Sequence, residues 1–380
     1  MKKILFAFTV VFLSFFLLAG CADSRRKAPL GGPRSAVSDD MPENQPENLP
    51  EPLPENLPEP LPENQSGKLP ESPASPVLSE ASPQTLILTN APSSLRLDLT
   101  DDSVTLSGAP QIEGVAYLML DFPGTDTDPI TGACTEGTVL LTAALPETAD
   151  LLTVNIFGGT KEYGQYESLL LDFVRIEKQN GSWRFEPSPV LAENERLFAV
   201  RRNPEDFLSG DERIQSDNEE IRQTALTLTA DCVTDREKAL VLHDWVAENV
   251  YYDMDAYASG NYENLDAVNV LHLKKGVCEG YANLYAALLR SIGIPCRKQG
   301  GFALGISTAR VWDETSLAQT TPNHAWNEVY IDGRWLLVDT TWDSTNTYQN
   351  GQYLQGSNVN HLYFDSTMAF FSLSHRMMES

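Results

Sequence analysis

Positively charged side chains are few in this sequence compared with negatively charged ones. Its 27 Lys and Arg residues stand against 53 Asp and Glu residues, which gives a formal net charge of −26 at pH 7. Proteins that bind nucleic acid concentrate lysine and arginine against the phosphates. The charge balance therefore excludes a nucleic-acid-binding protein and favours proteins, peptides or wall polymers as partners.

Cysteine is also scarce, with five residues in a chain of 380. Apart from one near the N-terminus, these are Cys134, Cys232, Cys278 and Cys296. They are too few and too scattered for a disulfide scaffold, even in an exported protein. We therefore expect at least one of them to work as a free thiol.

Recognisable metal-binding motifs are missing from the sequence. Neither the cysteines nor the five histidines are spaced as zinc ligands. Asp253 and Asp255 begin a segment that resembles a calcium-binding loop. Tyr257 and Ala258, however, occupy the positions where that loop needs a ligand and its glycine. We expect no metal and no other cofactor.

An apolar run over residues 4–18 follows two lysines, and it is short for a membrane span. The sequence LAGC comes at its end, and its cysteine is Cys21. A charged start, a short apolar stretch and small residues before a cysteine are typical of a bacterial lipoprotein signal. We expect residues 1–20 to be removed and Cys21 to be lipidated, on the outer face of the cytoplasmic membrane or the cell surface. A plain signal peptide and a transmembrane anchor are the alternatives.

Residues 42–65 consist of one tetrapeptide repeated six times, as PENQ, PENL, PEPL, PENL, PEPL and PENQ. Proline at every fourth position removes backbone hydrogen-bond donors, and the glutamates repel one another. Such a segment can neither pair into a sheet nor collapse into a core. We expect residues 21–84 to form a disordered, extended tether.

Between about Thr85 and Val190 polar and apolar side chains alternate, as at Leu95, Leu97 and Leu99. A period of two is typical of half-buried strands. Further strand-like runs follow, and Asn180-Gly181 is a turn signal between two of them. The pattern predicts an antiparallel β-sandwich, in which we identify no residues that carry chemistry.

Beyond the sandwich the apolar period becomes that of helices. Ser216 and Glu219 are spaced as a capping box at the start of one helix. Thr234 and Glu237 repeat the pattern at the start of the next. His243 lies on this second helix, where a structural role is more typical of a single histidine than a catalytic one.

The segment GVCEGYANL, residues 276–284, places Cys278 at the start of a predicted helix that Gly293 ends. Unpaired N–H groups and the positive end of the helix dipole favour a thiolate there. The same N–H groups can receive an oxyanion. An inert, buried cysteine at a helix start explains this segment equally well.

A second segment supplies partners for that thiol. The Asp-Gly pair at residues 332–333, between two β-rich runs, predicts a hairpin with a two-residue loop. Counting outward from the loop, Trp326 pairs with Asp339. Two positions further out, His324 pairs with Thr341. His324 and Asp339 then share a face as diagonal neighbours, about 7–8 Å apart at Cα, and the carboxylate can orient the histidine toward a thiol.

Three segments in this order, GVCEGYANL, HAWNEVYI and VDTTWD, resemble the transglutaminase-like superfamily. The resemblance covers roughly residues 216–345. It implies a papain-like fold with cysteine, histidine and aspartate in that chain order. By position it assigns the nucleophile to Cys278, the general base to His324 and the orienting carboxylate to Asp339.

The resemblance also implies an additional hydrogen-bond donor for the oxyanion. Trp245, Tyr251 and Tyr252 are the candidates for it in this sequence. Within the third matching segment, we expect Trp342 to pack and Asp343 to form a turn or a cap.

Together these features predict an α+β protein with a signal peptide (1–20), a Pro/Glu-rich tether (21–84), an antiparallel β-sandwich (85–200) and a papain-like, transglutaminase-like catalytic domain (201–380). The predicted function is a surface-anchored cysteine acyl-transfer enzyme that cross-links or deamidates protein or peptide carboxamides. A cysteine peptidase of the same fold, acting on protein or cell-wall peptides, is one alternative. A module that binds protein or peptidoglycan without turning it over is another, because a fold does not guarantee an activity.

Overall fold

The computed structural model describes residues 84–90, 94–109, 115–121, 130–133, 138–159, 168–305, 311–356 and 359–379. The predicted signal peptide, the lipidation residue Cys21, nearly all of the tether and Cys134 lie outside these residues. Within the described ranges, no helix is long and apolar enough to cross a membrane.

The N-terminal strands form two antiparallel sheets, with the orders β1-β2-β3-β6 and β5-β4-β7-β8-β9. Their bounds are β1 (Gln84–Ile87), β2 (Arg96–Leu99), β3 (Ser103–Gly108), β4 (Val115–Asp121), β5 (Ile130–Ala133), β6 (Val139–Ala144), β7 (Leu151–Gly159), β8 (Ser168–Gln179) and β9 (Ser182–Phe185).

One face of each sheet contributes to a shared apolar core. Leu97 of β2, Val154 of β7 and Ile176 of β8 are all fully buried members of it. Asn180 and Gly181 connect β8 to β9 with φ angles of 52° and 86°. Positive φ at both positions is what a two-residue hairpin of this kind requires, so the predicted turn is confirmed.

The rest of the described chain combines helices with two further sheets. The helices are α1 (Leu191–Phe198), α2 (Glu219–Leu228), α3 (Asp235–Asn249), α4 (Met254–Ser259), α5 (Ala267–Leu273), α6 (Cys278–Ser291), α7 (Glu314–Leu317), α8 (Thr340–Asp343) and α9 (Met368–Ser374), with a 3₁₀ turn at Pro204–Phe207. The strands are β10 (Tyr251–Asp253), β11 (Lys275–Gly276), β12 (Cys296–Ala303), β13 (His324–Ile331), β14 (Arg334–Val338), β15 (Thr347–Gln349), β16 (Gln352–Leu354), β17 (Phe364–Ser366) and β18 (His375–Met377).

An antiparallel sheet of order β17-β14-β13-β12-β18 lies at the centre of this part. A smaller sheet has the order β11-β10-β15-β16, in which β10 pairs in parallel with both β11 and β15. Helices packed beside mostly antiparallel sheets confirm the predicted α+β class.

Helix α6 is the buried axis of this second part. Every residue from 280 to 289 is buried, so the helix is covered on all sides. The hydroxyl of Tyr281 donates to the Val250 carbonyl at 2.7 Å, and that of Tyr285 donates to the Ala239 carbonyl at 3.0 Å. These two bonds hold α6 against α3, and they thereby fix where the first residue of α6 lies.

One of the two predicted capping boxes is correct. Thr234 and Glu237 form the reciprocal pair at the start of α3. The box at Ser216 is wrong, because α2 is capped by Asn218, whose side chain accepts from the N–H groups of the first turn. The hydroxyl of Ser216 donates instead to the Leu208 carbonyl, at 3.4 Å. An asparagine directly before the first helical residue reaches these donors, and a serine two positions earlier does not.

The predicted hairpin forms, but its ladder is shorter than the counted pairs required. Residues 332–333 make the turn, and pairing continues outward only as far as Asn327 opposite Val338. Beyond that point the chain of β14 turns into the short helix α8. His324 therefore pairs with Gly301 of β12, and its predicted pairing with Thr341 is wrong.

Asp339 is the residue at which strand β14 gives way to helix α8. One of its carboxylate oxygens accepts from the N–H groups of Thr341 and Trp342, at 3.0 and 3.1 Å. The predicted pairing of Asp339 with Trp326 is therefore wrong as well, because a helix cap replaces the last pairs of the ladder.

We predict that the turn glycine of this hairpin is needed for its backbone conformation alone. Gly333 has φ +80°, and a Cβ built there meets no described atom within 4 Å. Replacing Gly333 by alanine should lower the free energy of unfolding by about 1 kcal/mol, because an L side chain is strained at positive φ. Chemical denaturation measures the loss.

Gly300 on β12 is the matched control, since a Cβ there also meets no described atom within 4 Å and its φ lies outside the left-handed region. Gly300→Ala should leave the free energy of unfolding unchanged or slightly higher. An equal loss in both variants would contradict the backbone explanation.

Candidate active site

Cys278 is the first residue of α6, as predicted, and its thiol is free and half-buried. The residue before it, Val277, caps the helix without offering a side-chain acceptor to the first-turn N–H groups. The neighbouring Glu279 is held by the Lys298 ammonium of β12 at 2.9 Å. The start of α6 is thus tied to the central sheet, and the first-turn N–H groups of the helix have no side-chain cap.

His324 begins β13 and lies next to this thiol. Its Nε2 is 2.6 Å from a carboxylate oxygen of Asp339, and Cys278 is close enough to contribute to raising its pKa. Because Nε2 faces the carboxylate, Nδ1 is the nitrogen that remains for the sulfur. The strand is held to α6 one turn further on, where Asn327 donates to the Ala282 carbonyl at 3.0 Å.

Electrostatics favour a proton on this histidine. Burial disfavours the imidazolium, but the charge and hydrogen bond of Asp339 outweigh burial, and a contact with Cys278 adds to them. The net effect raises the pKa of His324 to about 10. A histidine held in this way can carry the positive charge that forms when it accepts the proton of a thiol.

The carboxylate of Asp339 is completely buried and fully bonded. One oxygen caps α8, and the other faces two histidines, His324 at 2.6 Å and His375 at 3.1 Å. Burial would raise the pKa of Asp339, but the charge of His324 and the hydrogen bonds from both histidines lower it instead. The carboxylate is therefore ionised at neutral pH.

His375, the first residue of β18, was not identified from the sequence. Its Nδ1 is 2.8 Å from the Ser374 hydroxyl, which lies 3.1 Å from the Tyr363 hydroxyl. Burial lowers the pKa of His375 to about 4, although the nearby Asp339 acts against this. A neutral ring whose Nδ1 accepts from Ser374 must donate from Nε2 to Asp339. No sequence signal marks this residue, because it follows the recognisable motifs by more than thirty positions.

Aromatic side chains surround the two histidines. The ring of His375 stacks on Phe371 at 4.1 Å between centroids and lies 4.4 Å from Trp342. Trp326 packs edge-on to His375 and 6.1 Å from His324. Trp342 therefore packs as predicted. This apolar surround keeps water from the pair formed by His324 and Asp339, which strengthens their interaction.

Of the three candidate oxyanion donors, Tyr252 is the one that lies beside the thiol. It is buried on β10 and pairs with Gly276, two residues before Cys278. Burial raises the pKa of Tyr252, and the charge of Cys278 contributes. Its phenol thus keeps its proton and can donate a hydrogen bond.

The rings of the other two candidates contact other side chains. The Lys274 ammonium lies 4.1 Å over the ring of Trp245. Tyr251 packs edge-on against Tyr353 with 5.1 Å between centroids, on the opposite face of β10 from its neighbour in sequence.

The remaining described cysteines have different surroundings. Cys296 is fully buried, and burial raises the pKa of its thiol to about 12. Cys232 is partly exposed, and burial together with Glu237 and Asp231 raises its pKa. Neither environment activates a thiol.

A second pair of histidine and aspartate lies at the other end of α8. His243, predicted as structural, is fully buried with Nε2 at 3.0 Å from Asp343. Asp343 was expected to form a turn or a cap. It instead accepts from the Tyr363 N–H and faces His243, because α8 is only one turn long and presents this carboxylate to α3.

Two groups of side chains in the described ranges have ligand atoms close enough to hold a metal ion. One is His324, Asp339 and His375, and the other is His243, Asp244 and His361. Each group includes one histidine far from the other two residues in sequence, His375 in the first and His361 in the second, so ligand spacing could not reveal either.

Comparison with known proteins agrees with this arrangement of helix, hairpin and buried side chains. A family model described as the transglutaminase-like superfamily matches residues 222–340, which include Cys278, His324 and Asp339. Residues 222–340 are a transglutaminase-like domain. The resemblance seen in the three sequence segments is thereby confirmed.

The transglutaminase-like domain also has curated relatives. Kyphoscoliosis peptidase of Homo sapiens is 31% identical over 111 residues, which cover 29% of this chain and 16% of that protein. An uncharacterised protein of Bacillus subtilis, YebA, is 29% identical over 171 residues, which cover 43% of this chain and 23% of that protein. The chain thus spans less than a quarter of the length of these relatives.

Solved structures show more distant similarity. A candidate cysteine protease from Cytophaga hutchinsonii is 18% identical with a TM-score of 0.30, covering 65% of this chain and 75% of the other. The periplasmic domain of TgpA from Pseudomonas aeruginosa is 14% identical with a TM-score of 0.25, covering 63% of this chain and 69% of the other. Because these similarities are distant, we argue the chemistry of the site only from the residues of this chain.

We predict that the reactivity of the Cys278 thiol depends on His324. Iodoacetamide should label Cys278 faster than Cys232 and leave buried Cys296 unlabelled in the native protein, because only the first has a histidine beside it. His324→Gln should slow the labelling of Cys278 at least tenfold. Mass spectrometry of the alkylated peptides measures all three rates in one sample.

The matched control is His272→Gln, since His272 is an exposed histidine paired with Glu220. It should leave the labelling of Cys278 unchanged. If Cys278 reacts no faster than Cys232 and its rate is the same in His324→Gln, the thiol is not activated.

Proposed function

We propose that the transglutaminase-like domain is a cysteine acyl-transfer enzyme that acts on protein or peptide carboxamides. The observation that carries this proposal is the position of His324, between the half-buried thiol at the start of α6 and a buried, ionised carboxylate 2.6 Å away. In the proposed roles, Cys278 is the nucleophile, His324 the proton shuttle and Asp339 the orienting group.

In the first half-reaction, the thiol proton is carried by His324, whose raised pKa favours the imidazolium, and the sulfur attacks the carbonyl carbon of the carboxamide. The oxyanion that forms is stabilised by N–H groups at the start of α6 and by the phenol of Tyr252. The carbon–nitrogen bond then breaks as His324 gives its proton to the leaving nitrogen. The products are a thioester on Cys278 and free ammonia or an amine.

In the second half-reaction, a primary amine or water attacks the thioester. His324 removes a proton from the attacking group, the carbon–sulfur bond breaks, and the thiol takes the proton back. An amine gives a cross-link, and water gives a deamidated side chain. Asp339 keeps the imidazole aimed at the sulfur in both half-reactions, and neutral His375 keeps Asp339 in place without adding a competing charge.

A peptidase is the second candidate, because a relative with 31% identity over 111 residues is named a peptidase. The first half-reaction is the same when the leaving nitrogen belongs to a peptide bond, and water then completes hydrolysis. The two candidates differ in what the cleft admits and not in the side chains around the thiol.

These reactions can be distinguished in one assay. The protein without its predicted signal peptide and Cys21 is incubated with a glutamine-rich protein and a fluorescent primary amine. Incorporated amine indicates cross-linking, ammonia release alone indicates deamidation, and protein fragments indicate a peptidase. We expect amine incorporation or ammonia release, and we expect Cys278→Ala to abolish it.

Cys232→Ala is the control, because it removes a partly exposed thiol outside the site and should retain full activity. A Cys278→Ala protein that matched the natural protein in amine incorporation, ammonia release and fragmentation would refute every enzymatic version. Substrate binding that persisted without turnover would then favour the binding module.

We also propose that the protein is exported and anchored through lipid at Cys21, with protein or cell-wall peptides as substrates. The support is the N-terminal sequence, in which a short apolar run ends at LAGC. In a bacterial host, a radiolabelled fatty acid should be incorporated into the full-length chain, and Cys21→Ser should remove the label. Equal labelling of the two proteins would exclude this anchor.

A further inference from the structure

A group of potential metal ligands lies near Asp343, at the opposite end of α8 from Asp339. His243 and Asp244 are adjacent on α3, and His361 precedes β17. The Nδ1 of His243 and the Nε2 of His361 each lie 2.8 Å from the same oxygen of Asp244. The ligand atoms all lie within 4.8 Å of one another.

We propose that His243, Asp244 and His361 bind a divalent transition-metal ion, for which zinc is the best match. Two imidazole nitrogens and one carboxylate oxygen form a ligand set that zinc uses, with a fourth position left for water. Calcium and magnesium prefer oxygen ligands, and nitrogen donors therefore select against them.

The surroundings of His243 fit a metal ligand. Its other nitrogen, Nε2, is 3.0 Å from Asp343, and that carboxylate accepts from the Tyr363 N–H. A ligating histidine commonly donates its second N–H to a carboxylate, which fixes the ring and directs the free lone pair at the metal. Phe364 packs edge-on against the ring, with 5.2 Å between centroids.

The negative charge of the nearby carboxylates also favours a bound cation. Asp244 and Asp343 bring two carboxylates to the two imidazoles. The arginine of α3, Arg236, is paired with Asp365 at 2.7 Å. A divalent ion would balance both carboxylates.

Access distinguishes this group from the one in the active site. The side chain of Asp244 is 39% exposed and that of His361 is 11% exposed, so an ion can enter from solvent and keep a bound water. In the other group, His324, Asp339 and His375 have at most 2% of their side chains exposed. A metal there would also occupy the carboxylate that orients His324.

The ion would join three parts of the chain. His243 and Asp244 belong to α3, His361 leads into β17, and Asp343 ends the single turn of α8 that begins next to Asp339. Binding would therefore hold α8 in position from behind. We assign the ion a stabilising role, since it lies behind the helix and not in the space beside Cys278.

The test uses the full chain, treated with a chelator and dialysed, and then titrated with zinc in a calorimeter. We expect one zinc ion per chain and a higher unfolding temperature once it is bound. His361→Gln should weaken zinc binding by on the order of 10- to 100-fold or more, because it removes one ligand. Cobalt, added in place of zinc, should give the visible absorption typical of a tetrahedral nitrogen and oxygen site.

His272→Gln is the matched control and should bind zinc as the natural protein does. Should His361→Gln fail to fold, Asp244→Asn at the most exposed of the three positions serves in its place. Cys278→Ala should bind zinc normally, so failure of the acyl-transfer proposal would leave this one intact.

A second proton on His243 could also hold its contact with Asp244 in place of a metal ion. The zinc titration distinguishes the proton from the metal ion. If the chain takes up no stoichiometric zinc, or if His361→Gln and Asp244→Asn bind as much as the natural protein, a proton holds the cluster and the metal site is refuted. Nitrogen NMR of the His243 ring in the zinc-free protein would then show both nitrogens protonated.

Discussion

The buried carboxylate of Asp339 is the feature on which the rest of the site depends. It ends strand β14, caps helix α8 and faces two histidines, and these tasks are divided between its two oxygens. An ionised carboxylate is stable in the interior only when its oxygens are fully bonded. The backbone change from strand to helix supplies two of the donors, and the pair of histidines supplies the others.

The helix capped by Asp339 is a single turn, and it carries a histidine–aspartate pair at each end. Asp339 faces His324 and the thiol, whereas Asp343 faces His243 on α3. Movement of α8 would therefore disturb both pairs at once. A rigid arrangement of His243, Asp244 and His361 would therefore also hold the active-site pair in place.

The N-terminal sandwich contributes to the surroundings of the site. Phe173 of β8 stacks on Trp342 at 5.5 Å, and Trp342 in turn lies 5.9 Å from His324. Trp326 and Phe371 belong to the same apolar cluster as the buried leucines of the sandwich. The sandwich thus contributes apolar contacts to the surroundings of His324 and His375.

What the sequence by itself determined is local. The start of α6 at Cys278, the capping box of Thr234 and the two-residue turn at 332–333 each depend on neighbours in the chain, and all three were predictable. The approach of His324 to Asp339 was also predicted, although through ladder pairs that do not form. The two residues still approach each other because side chains alternate along β14, which places Asp339 on the same face of the sheet as His324 even though the strand ends in a helix cap.

Only the tertiary structure decided the rest, because the partners are distant in sequence. His375 joins Asp339 from 36 positions away, and His361 reaches Asp244 from 117 positions away. Contacts of this kind arise when β18 is added to the edge of the central sheet and when the chain before β17 packs on α3. No local propensity specifies such packing, so the second histidine on the carboxylate and the group of proposed metal ligands become visible only in the folded chain.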